Sequence, residues 1–144
     1  MLLAIDIGNS NTVIGLFQGK KLSNFFRISS HPSQTPDEVY LILKNLLREK
    51  SFKKIKAGII CSVVPSLTTA YLEMFSHNLK IKPLLVSSDL PLGIKILYTD
   101  PAQVGADRLA NAVAAWKLYG GPTIVVDLGT ATTFDLISAK GEYA

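Results

Sequence analysis

At 144 residues, 48% hydrophobic and 18% charged, the chain has room for about one ordinary domain with a buried core, which argues against disorder. No apolar run approaches the roughly 18 residues that span a bilayer. The opening Met1-Leu-Leu-Ala-Ile5 lacks a basic segment and is interrupted by Asp6, so it is no secretion signal, and cytoplasm is the expected location.

The first elements read as three strands. Residues 2–7 are apolar and end at Gly8, residues 12–17 are β-rich and end at the turn Gln18-Gly19-Lys20, and residues 22–28 alternate. A polar loop with two prolines leads to Thr35-Pro36-Asp37-Glu38, which predicts a helix start. Thr35 can cap, Pro36 suits the first turn, and Glu38 completes a capping box. Val39, Leu41, Ile42, Leu43, Leu46 and Leu47 give that helix an apolar face.

The run Lys50-Ser-Phe-Lys-Lys-Ile-Lys56 contributes to a net charge of +4. It has little aromatic interleaving, and a solvated helix end accounts for it better than nucleic-acid binding. The modest positive balance suits anionic substrates such as nucleotides. Residues 55–63 read as a buried strand in which Cys61 is a small core residue, and a lone cysteine excludes an intrachain disulfide. With only His31 and His77 beside it, a zinc site is not expected.

Pro65-Ser66 opens a second helix, to about His77. A short strand at 84–86 and a loop at 87–103 follow. An alanine-rich helix over 105–119 stops at Gly120-Gly121-Pro122. Trp116 on that helix reads as core or interface. Residues 123–127 form another β-branched strand, Gly129 turns it, 131–138 return, and Lys140-Gly141 makes a further turn. Strands alternating with helices after a meander indicate an α/β domain with a mixed sheet. The last hairpin lies outside that sheet.

The last hairpin repeats the first. Ala4-Ile-Asp6-Ile-Gly8-Asn-Ser-Asn-Thr12 parallels Val125-Val-Asp127-Leu-Gly129-Thr-Ala-Thr-Thr133. Glycine lets the backbone approach a ligand, successive N–H groups in such a turn can point at one anion, and Asn, Ser and Thr add donors without negative charge. The aspartates suit phosphate only with a cation between, usually Mg²⁺. One Asp-x-Gly turn is ordinary hairpin chemistry. Two, each after an apolar strand and before a Thr-rich one, favour phosphate binding, gripping a polyphosphate from both sides if they face each other.

This duplicated turn resembles the paired phosphate loops of the acetate and sugar kinase, chaperone and actin superfamily. The segment Tyr98-Thr-Asp-Pro101-Ala-Gln-Val-Gly105-Ala106-Asp107-Arg108-Leu-Ala-Asn111, with Ser62-Val-Val-Pro65-Ser, narrows the resemblance to the type III pantothenate kinase family along the whole chain. The Gly-Ala-Asp-Arg tetrad is its most specific part. The resemblance implies an actin-like (ribonuclease H-like) domain over 1–120 and the first hairpin of a second, similar domain over 121–144. It implies ATP-dependent phosphorylation of pantothenate in coenzyme A synthesis, with Mg²⁺, a monovalent cation (K⁺ or NH₄⁺) and a homodimer, and no nucleic-acid or membrane partner.

By the same resemblance Asp6, Gly8, Asn9, Ser10, Asn11 and Thr12 form the first phosphate loop, and Gly129, Thr130, Thr132 and Thr133, with Asp127, the second. Asp6 and Asp127 serve the metal. Tyr98, Gly105, Ala106, Asp107 and Arg108 line the pantothenate pocket. The residues themselves leave Asp107 open between a catalytic carboxylate, kept ionised by the helix dipole and Arg108, and an ordinary first-turn aspartate; the tetrad decides for catalysis. Two other readings keep the fold: a nucleotide-binding transcriptional accessory protein, and another small-molecule kinase.

Family members are longer, so the chain reads as an N-terminal portion with little or no turnover alone. Because a lone hairpin is marginal, residues 121–144 are expected to pack on the first domain or a second chain, or to be poorly ordered.

Overall fold

The computed structural model describes residues 1–144, which form two compact units, Met1–Leu85 and Val86–Ala144. The first holds β1 (Leu2–Ile7), β2 (Asn11–Gln18), β3 (Lys21–Ser29), α1 (Pro36–Phe52), β4 (Ala57–Ser62), α2 (Pro65–Met74) and β5 (Leu84–Leu85). The second holds β6 (Lys95–Ile96), a 3₁₀ turn (Pro101–Gln103), α3 (Ala106–Tyr119), β7 (Thr123–Leu128), β8 (Thr132–Ile137) and β9 (Glu142–Tyr143).

The sheet of the first unit has the order β3-β2-β1-β4-β5. β1 pairs antiparallel with β2 and parallel with β4, so the sheet is mixed, as the alternation of elements predicts. Leu3, Ile5 and Ile7 alternate into one face and are buried with Ile14 and Leu16. α1 and α2 contribute Val39, Leu43, Leu47, Leu67, Ala70, Tyr71 and Met74 to the same core. Leu41, expected on the apolar face of α1, is instead exposed.

The predicted capping box forms. The Glu38 amide donates to Thr35 Oγ1 at 3.3 Å, and the Thr35 amide donates to Glu38 Oε2 at 2.7 Å. The bond from the Thr35 amide, and after it a second from Thr35 Oγ1 to the same Glu38 oxygen at 3.0 Å, hold the Glu38 carboxyl below its ordinary range. Arg48, at φ 57°, kinks the end of α1. Beyond it Lys50, Lys53, Lys54 and Lys56 are exposed, and Lys53 pairs with Glu49 at 2.8 Å.

The helix predicted to about His77 changes character at Met74 and continues as a π-helical turn, Phe75–Leu79. The Phe75 ring fills the space above Gly58 in β4, where an added Cβ would lie 2.3 Å from it. The glycine in the predicted buried strand is therefore a packing requirement.

In the second unit the sheet order is β6-β9-β8-β7, with β7, β8 and β9 antiparallel and β6 parallel to β9. The last hairpin thus belongs to its own sheet. It is not left bare, because α3 lays Leu109, Ala112 and Ala115 on the sheet beside Val104, Ile137 and Tyr143. The units consequently part at Leu85/Val86, whereas the sequence reading draws a domain boundary at 120/121: α3 shares its core with the hairpin that follows it. β6 and the 3₁₀ turn, within the segment read as a loop, and β9, in residues given no element, are two or three residues long and too short to show a period.

α3 ends at Gly120, which takes φ 73° and donates its N–H to the Trp116 carbonyl at 3.0 Å. The Trp116 indole lies flush against Gly141, where a Cβ would come within 2.9 Å of it. β7 alternates between half-buried and exposed residues. Ile124, Val126 and Leu128 are exposed, as are Phe134 and Leu136 opposite them on β8.

Candidate phosphate loops and substrate site

Both Asp-x-Gly turns close hairpins, but in different registers. In the first, Ile7 pairs with Thr12 and Asp6 with Val13. In the second, Leu128 pairs with Thr132 and Asp127 with Thr133. The second tip is one residue shorter, so Thr12 and Thr133, equivalent by sequence, are not equivalent in the ladder. Each glycine N–H serves its own loop: Gly8 donates to the Asn11 carbonyl at 2.9 Å, and Gly129 to that of Ala131 at 3.2 Å.

At the first tip Asp6, Asn9, Ser10 and Asn11 are exposed and Gly8 is half-buried. Thr12 differs: it is 1% exposed. Its Oγ1 lies 2.9 Å from Ser30 Oγ, which donates to the Gly8 carbonyl at 2.6 Å, and it shares a hydrogen bond with the Tyr71 hydroxyl. Burial pushes that tyrosine hydroxyl up to about 12. Ser30 N donates to the Ser10 carbonyl at 3.0 Å. Thr12 is thus placed beneath the loop as a brace, with Ser30 and Tyr71, rather than in its open mouth.

In the second unit Gly129, Thr130 and Thr132 are exposed, while Asp127 and Thr133 are half-buried. Asn111 Nδ2 donates to Asp127 Oδ2 at 3.3 Å. Asn111 lies four residues after Asp107, so the two occupy one face of α3, one turn apart. The helix therefore ties Asp127, at the second Asp-x-Gly turn, to the turn that carries Asp107.

Gly105 occupies the N-cap position of α3, and Ala106 and Asp107 open its first turn. The approach to it is ordered by Asp100, whose carboxylate accepts from the Ala102 amide and from Gln103 Nε2, both at 3.1 Å. Asp107 Oδ1 accepts from the Arg108 amide at 2.8 Å, which keeps the carboxylate beside the positive end of the helix dipole.

The expectation that Arg108 supports the Asp107 charge is corrected by the direction of its side chain. Arg108 Nε donates to Asp135 Oδ1 at 2.8 Å, Nη2 lies 2.5 Å from the same oxygen, and Nη2 donates to the Tyr98 hydroxyl at 3.1 Å. The bond to Asp135 raises the guanidinium further above its ordinary range. Tyr143 also donates to Asp135 Oδ1, at 2.6 Å, and stacks on Tyr98 with centroids 5.6 Å apart. Burial, then the bond to Asp135, raises the Tyr143 hydroxyl, which stays a donor. The second unit thus brings Tyr98, Gly105, Ala106, Asp107 and Arg108 to one end of α3.

The sequence reading missed Asp135 and Tyr143 and assigned Asn111 no role. Asn111 was findable from its i, i+4 spacing to Asp107. Asp135 was signalled only by a carboxylate inside a β-branched strand.

No group of three or more His, Cys, Asp or Glu side chains gathers as a protein cage for a metal. One carboxylate at each turn instead suits Mg²⁺, which keeps most of its waters and takes phosphate oxygens as further ligands. No helix is long and apolar enough to cross a membrane.

The family model described as type III pantothenate kinase matches residues 2–144. A relative named type III pantothenate kinase from Moorella thermoacetica is 48% identical over 99% of the chain. Relatives of the same name from Myxococcus xanthus and Streptomyces avermitilis are 40% identical over 99% of it and 46% identical over 100%. The chain spans 57% of the length of each of these three. With a match over nearly its whole length, the chain belongs to the type III pantothenate kinase family.

Proposed function

We propose that the full-length protein phosphorylates the primary hydroxyl of pantothenate with ATP, giving 4'-phosphopantothenate and ADP. One observation carries the reading beyond family membership: Asp107 and Asn111 lie one turn apart on α3, and Asn111 holds Asp127 at the second Asp-x-Gly turn. A carboxylate able to take a hydroxyl proton is thereby fixed relative to a phosphate loop. Positioning and charge stabilisation are what phosphoryl transfer chiefly requires.

In this reading Asp107 accepts the proton as the hydroxyl oxygen bonds to the γ-phosphorus and the bond to the β,γ-bridging oxygen breaks. Gly8, Asn9, Ser10 and Asn11 in the first loop take phosphate oxygens, braced by Thr12. Gly129, Thr130, Thr132 and Thr133 do so in the second. Asp6 at the first turn and Asp127 at the second would each offer Mg²⁺ a carboxylate, and the ion when bound would neutralise charge on the phosphates. Tyr98, Gly105, Ala106 and Arg108 hold pantothenate. The family likeness extends the proposal to a monovalent cation, K⁺ or NH₄⁺, a homodimer and a cytoplasmic location.

The test is coupled ADP release by the full-length protein with pantothenate, beside its Asp107→Asn variant. Loss of general-base action lowers kcat by about 10²–10⁴-fold, with ATP binding by calorimetry retained. Turnover unaffected by the substitution would sink the assignment, and a nucleotide-binding regulator would be indifferent to it.

A further inference from the structure

We propose that Asp135 is a positioning residue for substrate binding: its buried carboxylate fixes the plane of the Arg108 guanidinium and the Tyr98–Tyr143 stack, so that the remaining edge of Arg108 meets the substrate in one orientation. This rests on the reading of Tyr98 and Arg108 as pocket residues.

Asp135 is 0% exposed, on the face of β8 that α3 covers. Three donors converge on its Oδ1: Arg108 Nε, Arg108 Nη2 and the Tyr143 hydroxyl. Its Oδ2 is buried and accepts nothing from the chain. An ion pair serving stability alone is best satisfied by two parallel bonds, one to each oxygen. Here a single oxygen ties α3, β8 and Tyr143 of β9 to one point, at the cost of an unused buried acceptor.

The geometry also divides the donors of Arg108. Of its five N–H groups, the edge formed by Nε and Nη2 faces Asp135 and the other Nη2 hydrogen reaches Tyr98. The two Nη1 hydrogens remain, on a side chain that is 28% exposed. A guanidinium held along one edge cannot swing, so its free edge has one bearing. Tyr98 is fixed the same way, by Arg108 on its hydroxyl and by Tyr143 on its ring.

The experiment is steady-state kinetics of the full-length protein with Asp135→Asn, Arg108→Ala and the double variant, each melted by circular dichroism. Asp135→Asn is expected to raise KM for pantothenate about tenfold and leave KM for ATP within about twofold, an order-of-magnitude loss for one mispositioned group. In the double variant Asp135→Asn adds little to Arg108→Ala, because both act through one guanidinium. Should Asp135→Asn fail to fold, Tyr143→Phe keeps the stack, removes one of the three bonds, and should raise KM for pantothenate about threefold. Equal shifts in both KM values, or full additivity, would overturn the inference while the pocket reading stands. If Arg108→Ala leaves KM for pantothenate unchanged, the pocket reading itself fails and takes the inference with it.

Discussion

Replacing Thr12 by valine keeps the branched shape under the first Asp-x-Gly loop and removes only the hydroxyl. That hydroxyl bonds Ser30 and Tyr71, and Thr12 and Tyr71 are both 1% exposed. Ser30 keeps its bond to the Gly8 carbonyl, so the tyrosine hydroxyl bears most of the loss. A buried hydroxyl left unpartnered costs about 1–3 kcal/mol. Thr12→Val should therefore destabilise the chain by about 2 kcal/mol in urea denaturation followed by far-UV circular dichroism. Adding Tyr71→Phe removes the orphan, and the double variant should recover about 1 kcal/mol or more of the loss. If Thr12→Val stays within about 0.5 kcal/mol of wild type, or the double variant recovers nothing, Thr12 is no brace and returns to the phosphate ligands.

Two further outcomes follow from burial. The Tyr71 hydroxyl titrates near 10 when unfolded and is pushed up to about 12 when folded, so the unfolded chain releases its proton first as pH rises. Stability is fully present below pH 10 and falls through pH 12, by up to about 2–3 kcal/mol from this group; urea midpoints across that range check it, and Tyr71→Phe should flatten the fall. Gly58→Ala drives a Cβ to 2.3 Å from the fully buried Phe75 ring, and should cost about 1–3 kcal/mol by overpacking in the same assay. A neutral result there would mean that the π-helical turn bearing Phe75 gives way easily.

The fold was legible where local chemistry decides structure. Thr35 and Glu38 announce a helix start, Gly120 a helix end, and the opening meander and the mixed sheet follow from period and turn residues. It was illegible where one chain segment depends on another far away. β6 exists only because β9 lies beside it. Asp135 is the sharper case. In Thr132-Thr-Phe-Asp-Leu-Ile137, alternation separates two faces but does not say which one a helix covers. Phe134 and Leu136 look like the inner face and are exposed; Asp135 and Ile137 are buried. The charge goes inward because Arg108, distant in sequence, meets it there. Similarly, the sequence pairs Arg108 with its neighbour Asp107, and only the helix geometry turns the guanidinium to the sheet. The duplicated turns were readable as a pair, but not the extra residue in the first tip that sets Thr12 beneath its loop.

Trp116, flush against Gly141, is the only tryptophan of the chain. Excited at the red edge of the indole band, intrinsic fluorescence therefore comes from the second unit alone, while far-UV dichroism sums both. Without any label, a gap between the two denaturation curves would tell whether the halves melt together or in turn.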